Sequence, residues 1–446
     1  MRWPSITPRR ILLGAWLVFL LATYPGFMRT DAADELVDSR VGVFTDWHVP
    51  MMSQVWRIVG IVFSGPAGML LLQSALLLGG TFVLARRLLA ERAAAIVAAC
   101  ALLFPPLLIA NGLVTAEAQL AGFLIAGAAA FTCERRWVRI LGLVLVVLGC
   151  SMHDAGPLAA LPIVVGMFVW DRSRPRWQRI GIAIAAWVLV VGVALGLSHV
   201  VVDDRSYRNE VAFAMSDIVG TLRYAGTLDD ATIERCLPGV RFATADIQQR
   251  ARAIHGRTRQ YAATDQRLFE PPTTDAEREA LFAGRRALVR LAPKAYLKAR
   301  WGMFVRTIGW RTPSNWSPAY TAFYETFRDA KGMYHAARHS LLQGLLLAPF
   351  TALSGTPLFR PYLYLALALL LLPFAIVRRQ RAAIVFLASA LGYELGVFVL
   401  ANRTDYRDAH WLMVATVLGL ALVVTRRWQR PASHEQTAAP PPAPPT

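Results

Sequence analysis

Residues 11–50 read "ILLGAWLVFLLATYPGFMRTDAADELVDSRVGVFTDWHVP". An apolar run from Ile11 to about Phe27 gives way to a stretch holding Asp31, Asp34, Glu35, Asp38 and Asp46. The run approaches the roughly 20 apolar residues that cross a bilayer as a helix. No small-residue cleavage site separates it from the acidic stretch. It therefore reads as a retained span rather than a removed signal peptide.

The rest of the chain agrees with a membrane setting. Of 446 residues, 55% are hydrophobic and 17% charged, too apolar for an ordinary soluble protein. The formal net charge is +18, which in a soluble chain would raise nucleic acid as a partner. Here the arginines sit in clusters between apolar runs: Arg9-Arg10, Arg86-Arg87-Arg92, Arg135-Arg136-Arg139, Arg172 to Arg179, Arg378-Arg379-Arg381 and Arg426-Arg427-Arg430. Every second loop carries one, the positive-inside pattern that fixes topology, so no nucleic acid is expected. The four cysteines show no disulfide framework and read as thiols.

The expected fold class is an all-α integral membrane protein of about ten transmembrane helices. The ranges are 11–28, 66–85, 93–110, 116–133, 138–152, 157–170, 179–199, 360–377, 382–401 and 409–425. The short pair at 138–152 and 157–170 reads as spans or as a re-entrant hairpin. Both termini fall in the cytoplasm, and loops 29–65, 111–115, 153–156, 200–359 and 402–408 fall outside. The domains are then an N-terminal module over 1–199 with a first outer loop at 29–65, an outer helical insertion over 200–359, C-terminal helices over 360–430 and a Pro/Ala-rich tail over 431–446.

Within the insertion, Thr274-Asp275-Ala276-Glu277 has capping-box spacing and opens a helix through about Leu291. Pro293 starts the next. There Tyr296, Leu297, Trp301, Phe304, Val305 and Ile308 recur at helical spacing, flanked by Lys294, Lys298, Arg300 and Arg306. That face suits either the lipid interface or the core of the outer domain. Leu341 to Ala352 is too short to cross and is expected along the surface.

This topology gathers Asp31, Asp46, Glu117, His153, Asp154, Asp405 and Asp408 at one membrane face. In the first loop, Thr30 or Asp31 caps a helix that Gly42 ends. Pro50 opens a second, Met51 to Phe63. Asp46 stands in their connector, where it caps the second helix, binds a divalent ion or orients His48. Glu35 and Asp38 read as solvated helix charges. Glu394, inside the ninth span, faces the bundle or a cavity.

The order of the first loop resembles that of the C-type glycosyltransferases (GT-C fold): a span, an acidic loop opening, a short helix, then an Asp-Trp-x-x-Pro element. That superfamily includes protein O-mannosyltransferases and lipid A aminoarabinose transferases. The resemblance rests on "TDWHVPMMSQVWRIV" at 45–59, "SGPAGMLLLQ" at 64–73 and Asp405-Tyr406-Arg407 before the last span. The chain departs from the pattern at Val49, where a proline is expected. At 114–117 the usual Lys-Asp pair is replaced by Val-Thr-Ala-Glu, and the last motif reads Asp-Tyr-Arg-Asp-Ala-His.

The resemblance implies transfer of a sugar from a polyprenyl-phosphate donor to a hydroxyl of a lipid, glycan or protein acceptor, with inversion. The site would lie on the outer face of a bacterial inner membrane. One carboxylate suffices as general base, and the phosphate leaving group needs cations rather than an acid. Asp31 is the expected base, since its spacing to Asp46 fits the family best; Asp34 is the alternative. Asp46, His48, Arg40, Arg57, Glu117, Arg403, Asp405, Arg407 and His410 are expected to bind substrate or phosphate. No cofactor is implied beyond a possible divalent cation, because relatives with and without a metal share this layout. A non-catalytic transporter for a lipid-linked precursor, or an inactive relative, fits the same surfaces.

Overall fold

The computed structural model describes residues 6–167, 173–203, 208–226, 228–244, 246–254, 268–270, 272–311, 317–321, 339–401 and 404–425. Arg403, the arginines at 426–430 and the tail lie outside the described residues. All regular structure described is helical apart from two isolated bridges, Phe27 with Leu113 and Phe242 with Phe269.

Every expected span coincides with a helix. In order these are α1 (Pro8–Thr23), α4 (Ala67–Ala85), α5 (Glu91–Leu103) with α6 (Pro105–Gly112), α7 (Ala116–Phe131), α8 (Arg136–Ser151), α9 (Gly156–Met167), α10 (Arg176–Val201), and, after the insertion over 200–359, Pro361–Val377, Arg381–Leu400 and His410–Thr425. Fewer of these helices than the ten expected spans are long and apolar enough to cross by themselves. Four helices among the described residues are long and apolar enough to cross a membrane: Ala67–Ala85, Arg176–Val201, Arg381–Leu400 and Tyr406–Thr425. The bent pair α5–α6 makes a fifth if it is one span.

The reason is length. A 16-residue helix such as α7 rises about 24 Å, short of a core roughly 30 Å thick. The single span expected at 93–110 is broken by 66°. Pro105 and Pro106 follow Phe104, whose φ of −61° and ψ of 125° lie outside the helical region. Proline disfavours helical backbone in the residue before it, so α5 must end there.

Helix α7 is the hub. Nearly all of its residues are buried, Glu117 and Gln119 among them. It packs against α4, α8, α9 and the last helix. Its Gln119 donates to the Gln73 side chain at 2.9 Å, and Gln73 donates to the Asn111 and Leu113 carbonyls at 2.6 and 3.1 Å. Those bonds satisfy carbonyls left over where α6 ends.

The first loop forms α2 (Thr30–Val41) and α3 (Pro50–Gly60). Gly42 ends α2 with φ +77°, its N–H donating to the Asp38 carbonyl at 2.8 Å. Two expectations about caps are corrected. Arg29 holds the N-cap position of α2, so Asp31 sits in the first turn. Val49 holds that position for α3 without a side-chain bond, so Asp46 does not cap it.

The insertion contains α11 (Arg208–Tyr224), α12 (Asp230–Cys236), α13 (Ile247–Ile254), α14 (Asp275–Leu291) and α15 (Pro293–Thr307). Ile218, Leu222, Ile233, Leu281 and Leu288 share a core separate from that of the bundle. The Thr274–Glu277 capping box is present. On α15 the face turned inward is Ala295, Ala299, Arg300, Met303 and Thr307, while Leu297 and Trp301 are exposed. The small-residue face therefore packs, leaving that exposed pair outside this core. Next, α16 (Leu341–Leu353) lies against α1, with Leu341, Leu342 and Leu345 exposed.

Candidate functional site

A crossing of two loops sets the site. Gly26 adopts φ +117°, and a Cβ there would stand 2.8 Å from Val114. A Cβ on Gly112 would meet Thr23 at 2.6 Å and the Phe27 ring at 3.0 Å. With no side chain at either position, the Phe27 N–H reaches the Gly112 carbonyl and the Val114 N–H reaches the Phe27 carbonyl, each at 2.9 Å. This bridge fixes the start of α2 beside the start of α7. Thr115 caps α7 by accepting the Ala118 N–H at 3.2 Å. Asp31 and Glu117 thus occupy first turns, where the helix dipole favours a carboxylate.

The last loop supplies the cation. Asp405 caps the short 3-10 turn Tyr406–Ala409, and Arg407 in that turn is nearly buried. The Arg407 guanidinium pairs with the Asp31 carboxylate. Its Nε lies 3.6 Å from Glu117 and 3.5 Å from Asp405. Asp405 in turn accepts Arg29 Nη1 on both oxygens, at 3.0 and 2.7 Å. The Arg29 guanidinium stands 5.3 Å from the Tyr320 ring centre, and the Tyr320 hydroxyl donates to the Met28 carbonyl at 3.1 Å. Four residues of the expected set, Asp31, Glu117, Asp405 and Arg407, are therefore in one cluster. Side-chain exposure is 19% at Asp31, 14% at Asp405 and 2% at Glu117, so Asp31 is the most open of the three carboxylates.

A deeper layer adjoins this cluster. Glu117, His153 and Asp408 each offer a ligand atom, all within 4.8 Å of one another. His153 Nδ1 accepts the Ala155 N–H at 3.0 Å, and its ring lies 5.3 Å from that of Tyr393. Glu394 is 2% exposed and within electrostatic reach of Asp408. His410 is 1% exposed and within reach of Glu117. Ser389 ties the Arg381–Leu400 helix to its neighbours, accepting from Trp411 Nε1 at 3.0 Å and donating to the Ala159 carbonyl at 2.5 Å.

The remaining expected residues stand elsewhere. Asp34 is exposed and lies 3.2 Å from His48 Nε2, so these two form a pair of their own. Asp38 belongs with them: burial pushes its carboxyl up, nearby His48 opposes this, and Asp34 adds to it. Asp46 is half-buried and Arg40 exposed. Arg57 packs at the α2–α3 connector, 6.0 Å from the Phe44 ring centre. The expectation that Glu35 is a solvated charge is corrected, since it is 6% exposed. The face of α2 bearing Glu35 also carries Ala32 and Leu36, which turn it inward.

Arg29 was not legible as a site residue, because its partner Asp405 is 376 positions away. His153 and Asp408 had a signal, the expected placement in loops of one membrane face, without a motif to single them out. Comparison of the chain with family models, curated proteins and solved structures gives no match.

Chemically, the cluster offers guanidinium groups for an anion and an accessible carboxylate beside them. Burial of Glu117 and Arg407 away from water strengthens each charge interaction there.

Proposed function

We propose that the chain is an integral-membrane glycosyltransferase of the GT-C kind. It would move a sugar from a polyprenyl-phosphate donor to an acceptor hydroxyl, with inversion, at the outer face of a bacterial inner membrane. The supporting observation is Arg407, which gathers Asp31 from α2, Glu117 from α7 and Asp405 from its own turn. The ten-span topology with both termini inside belongs to the same proposal.

In this reading the donor phosphate competes with Asp31 for the Arg407 guanidinium. Arg407 and Arg29 then stabilise the charge that grows on the departing phosphate. Asp31, deprived of its cation, becomes a better base and takes the proton of the acceptor hydroxyl. Asp34 suits the role less, because it is more exposed and paired with His48. The test is transfer from a synthetic polyprenyl-phosphate sugar by the purified chain in nanodiscs. Full activity in a folded Asp31→Asn variant would sink the assignment of the base.

The α5–α6 break supports a second reading, since discontinuous helices recur at the binding sites of transporters. Vesicles containing labelled lipid-linked sugar separate the two. Movement across the bilayer without transfer would favour the transporter.

A further inference from the structure

Residues 280–311 hold eight lysines and arginines and no acidic residue. Two of these cations are engaged inside, where Arg285 and Arg300 pair with the buried Asp217. Arg286, Arg290, Lys294, Lys298 and Arg311 are exposed. They lie within a long insertion, where charge does little to set topology, so their concentration calls for another explanation.

The same segment also exposes apolar side chains. On α15, Lys294, Leu297, Lys298 and Trp301 recur at three- and four-residue spacing and share one face. Leu297 and Trp301 are each more than half exposed, and Leu291 and Trp310, before and after the helix, are exposed as well. None of these four belongs to the core of the insertion or to that of the bundle.

Three aromatic rings show where this face leads. The Trp301 ring lies 6.0 Å from that of Phe304, which lies 5.7 Å from Phe398 and edge-on to it. Phe398 stands in the last turn of Arg381–Leu400, one of the helices long and apolar enough to cross a membrane. Leu395 and Val399, beside it, are exposed. Arg300 ties α15 to the same end by its bond to the Ala401 carbonyl. Just past α15, the Ile308 carbonyl accepts the Tyr362 N–H at 2.9 Å, and the Trp310 ring lies 5.3 Å from that of Tyr362, in the first turn of Pro361–Val377. The helix therefore runs between the end of one apolar helix and the start of another. That is the level at which the hydrocarbon of a bilayer gives way to headgroups.

We infer that this face of α15 rests on the surface of a bilayer containing anionic phospholipid. Leu297 and Trp301 enter the boundary between acyl chains and headgroups, continuing the apolar surface of Leu395 and Val399. Tryptophan suits that depth, since its ring is apolar and its N–H polar. Lys294 and Lys298 lay their stems along the apolar strip and reach the headgroup phosphates. A nucleic acid would meet the same cations but leave the apolar strip without a partner. A second copy of this chain would bring a matching excess of positive charge to the contact, which opposes it. Docking of this face needs no transfer activity.

The test uses the full chain in nanodiscs of equal phosphatidylcholine and phosphatidylglycerol, with bromine on the acyl chains of one lipid or of the other. Trp301 emission is the difference between the wild type and Trp301→Phe, a change at an exposed position. Brominated lipid should quench that difference strongly, and iodide in the water weakly. Brominated phosphatidylglycerol should quench it at least roughly twofold better than brominated phosphatidylcholine, because the lysines gather anionic lipid around the ring. That preference should vanish when Lys294→Gln and Lys298→Gln are combined. It should persist in Arg87→Gln, an exposed position after α4. Quenching by iodide without quenching by lipid overturns the inference, because the face then stands in water. Protection from both quenchers overturns it as well, since a protein surface then covers the ring. Equal quenching by the two brominated lipids in the wild type, or an unchanged preference in the lysine variant, overturns the role of anionic lipid. Lys298 lies 5.2 Å from the Tyr224 ring centre, so if the double variant fails to fold, Lys294→Gln alone decides the preference. No arm of the test reads transfer, so its outcome is distinct from that of the enzymatic reading.

Discussion

Asp31, in the first turn of α2, is ion-paired with Arg407, in the turn before the last helix. The pair closes the two ends of the chain over the start of α7. Asp31→Asn keeps shape and removes the charge. We expect transfer to drop by about 10²- to 10⁴-fold, the usual weight of a general base, with the fold retained. Arg407→Ala should do more harm. It leaves Asp31, Glu117 and Asp405 without their shared cation, and breaking such a buried set costs about 3–5 kcal/mol. Arg407→Lys keeps the charge but loses the planar fork, so it should restore stability in part and activity poorly. Thermal unfolding and transfer rates on the same nanodisc samples check all three.

The crossing at Gly26 and Gly112 gives a second test. Gly112→Ala drives a methyl group into Thr23 and Phe27. Overpacking of this kind costs about 1–3 kcal/mol. Because the bridge sets α2 against α7, the same change should separate Asp31 from Glu117 and lower transfer beyond the loss of stability. Gly14→Ala, on α1 with nothing within 4 Å of the added Cβ, should be neutral in both assays. Equal behaviour of the two variants would contradict the positioning role of the crossing.

Apolar runs are local, and all ten expected ranges became helices. Gly42 and Pro50 marked the ends of the first-loop helices by backbone rules that need no tertiary knowledge. Span length was read less well. Pro105-Pro106 cut one range in two, and α7 fell short of a bilayer while being nearly all buried. Helix faces were harder still. Glu35 sits on a side of α2 that turns inward, and α15 buries alanines and Arg300 where the aromatics were the stronger signal. The Asp405 pairing with Arg29 left no trace in periodicity, since only the closed bundle brings such distant positions together.

Asp38 makes the first loop pH-sensitive. Burial raises its carboxyl in the folded protein above the ordinary aspartate value, outweighing the opposing pull of His48. In the window between those two values the folded state binds more protons than the unfolded one. Stability from this group is thus fully present below the ordinary value and is lost as pH rises through the raised one. Asp38→Asn removes the charge that burial penalises. The variant should unfold at a higher temperature than the wild type at neutral pH, and the difference should shrink toward pH 4. A difference that grows on acidification would mean the sign is wrong.

Arg300 ties the helices of residues 208–307 to the segment that carries the site, and a buried acid holds Arg300 in place. Asp217 on α11 is 3% exposed at its side chain and holds Arg285 at 2.6 Å and Arg300 at 2.5 Å. Arg300 also donates to the Ala401 carbonyl, at the end of the Arg381–Leu400 helix and just before the loop that carries Asp405 and Arg407. Asp217→Ala leaves two guanidinium groups without their carboxylate. Removing one partner of a buried pair is strongly destabilising, about 3–5 kcal/mol. The damage should appear first as protease cleavage within residues 208–307, while the bundle, which has a core of its own, stays folded. Arg300→Met removes the tie to Ala401 but leaves Asp217 paired with Arg285. It should therefore spare the core of residues 208–307 and lower transfer by loosening the Asp405–Arg407 turn. Limited proteolysis read by mass spectrometry, beside a transfer assay, distinguishes the two variants. Matching cleavage patterns would show that Arg300 serves the core of residues 208–307 alone.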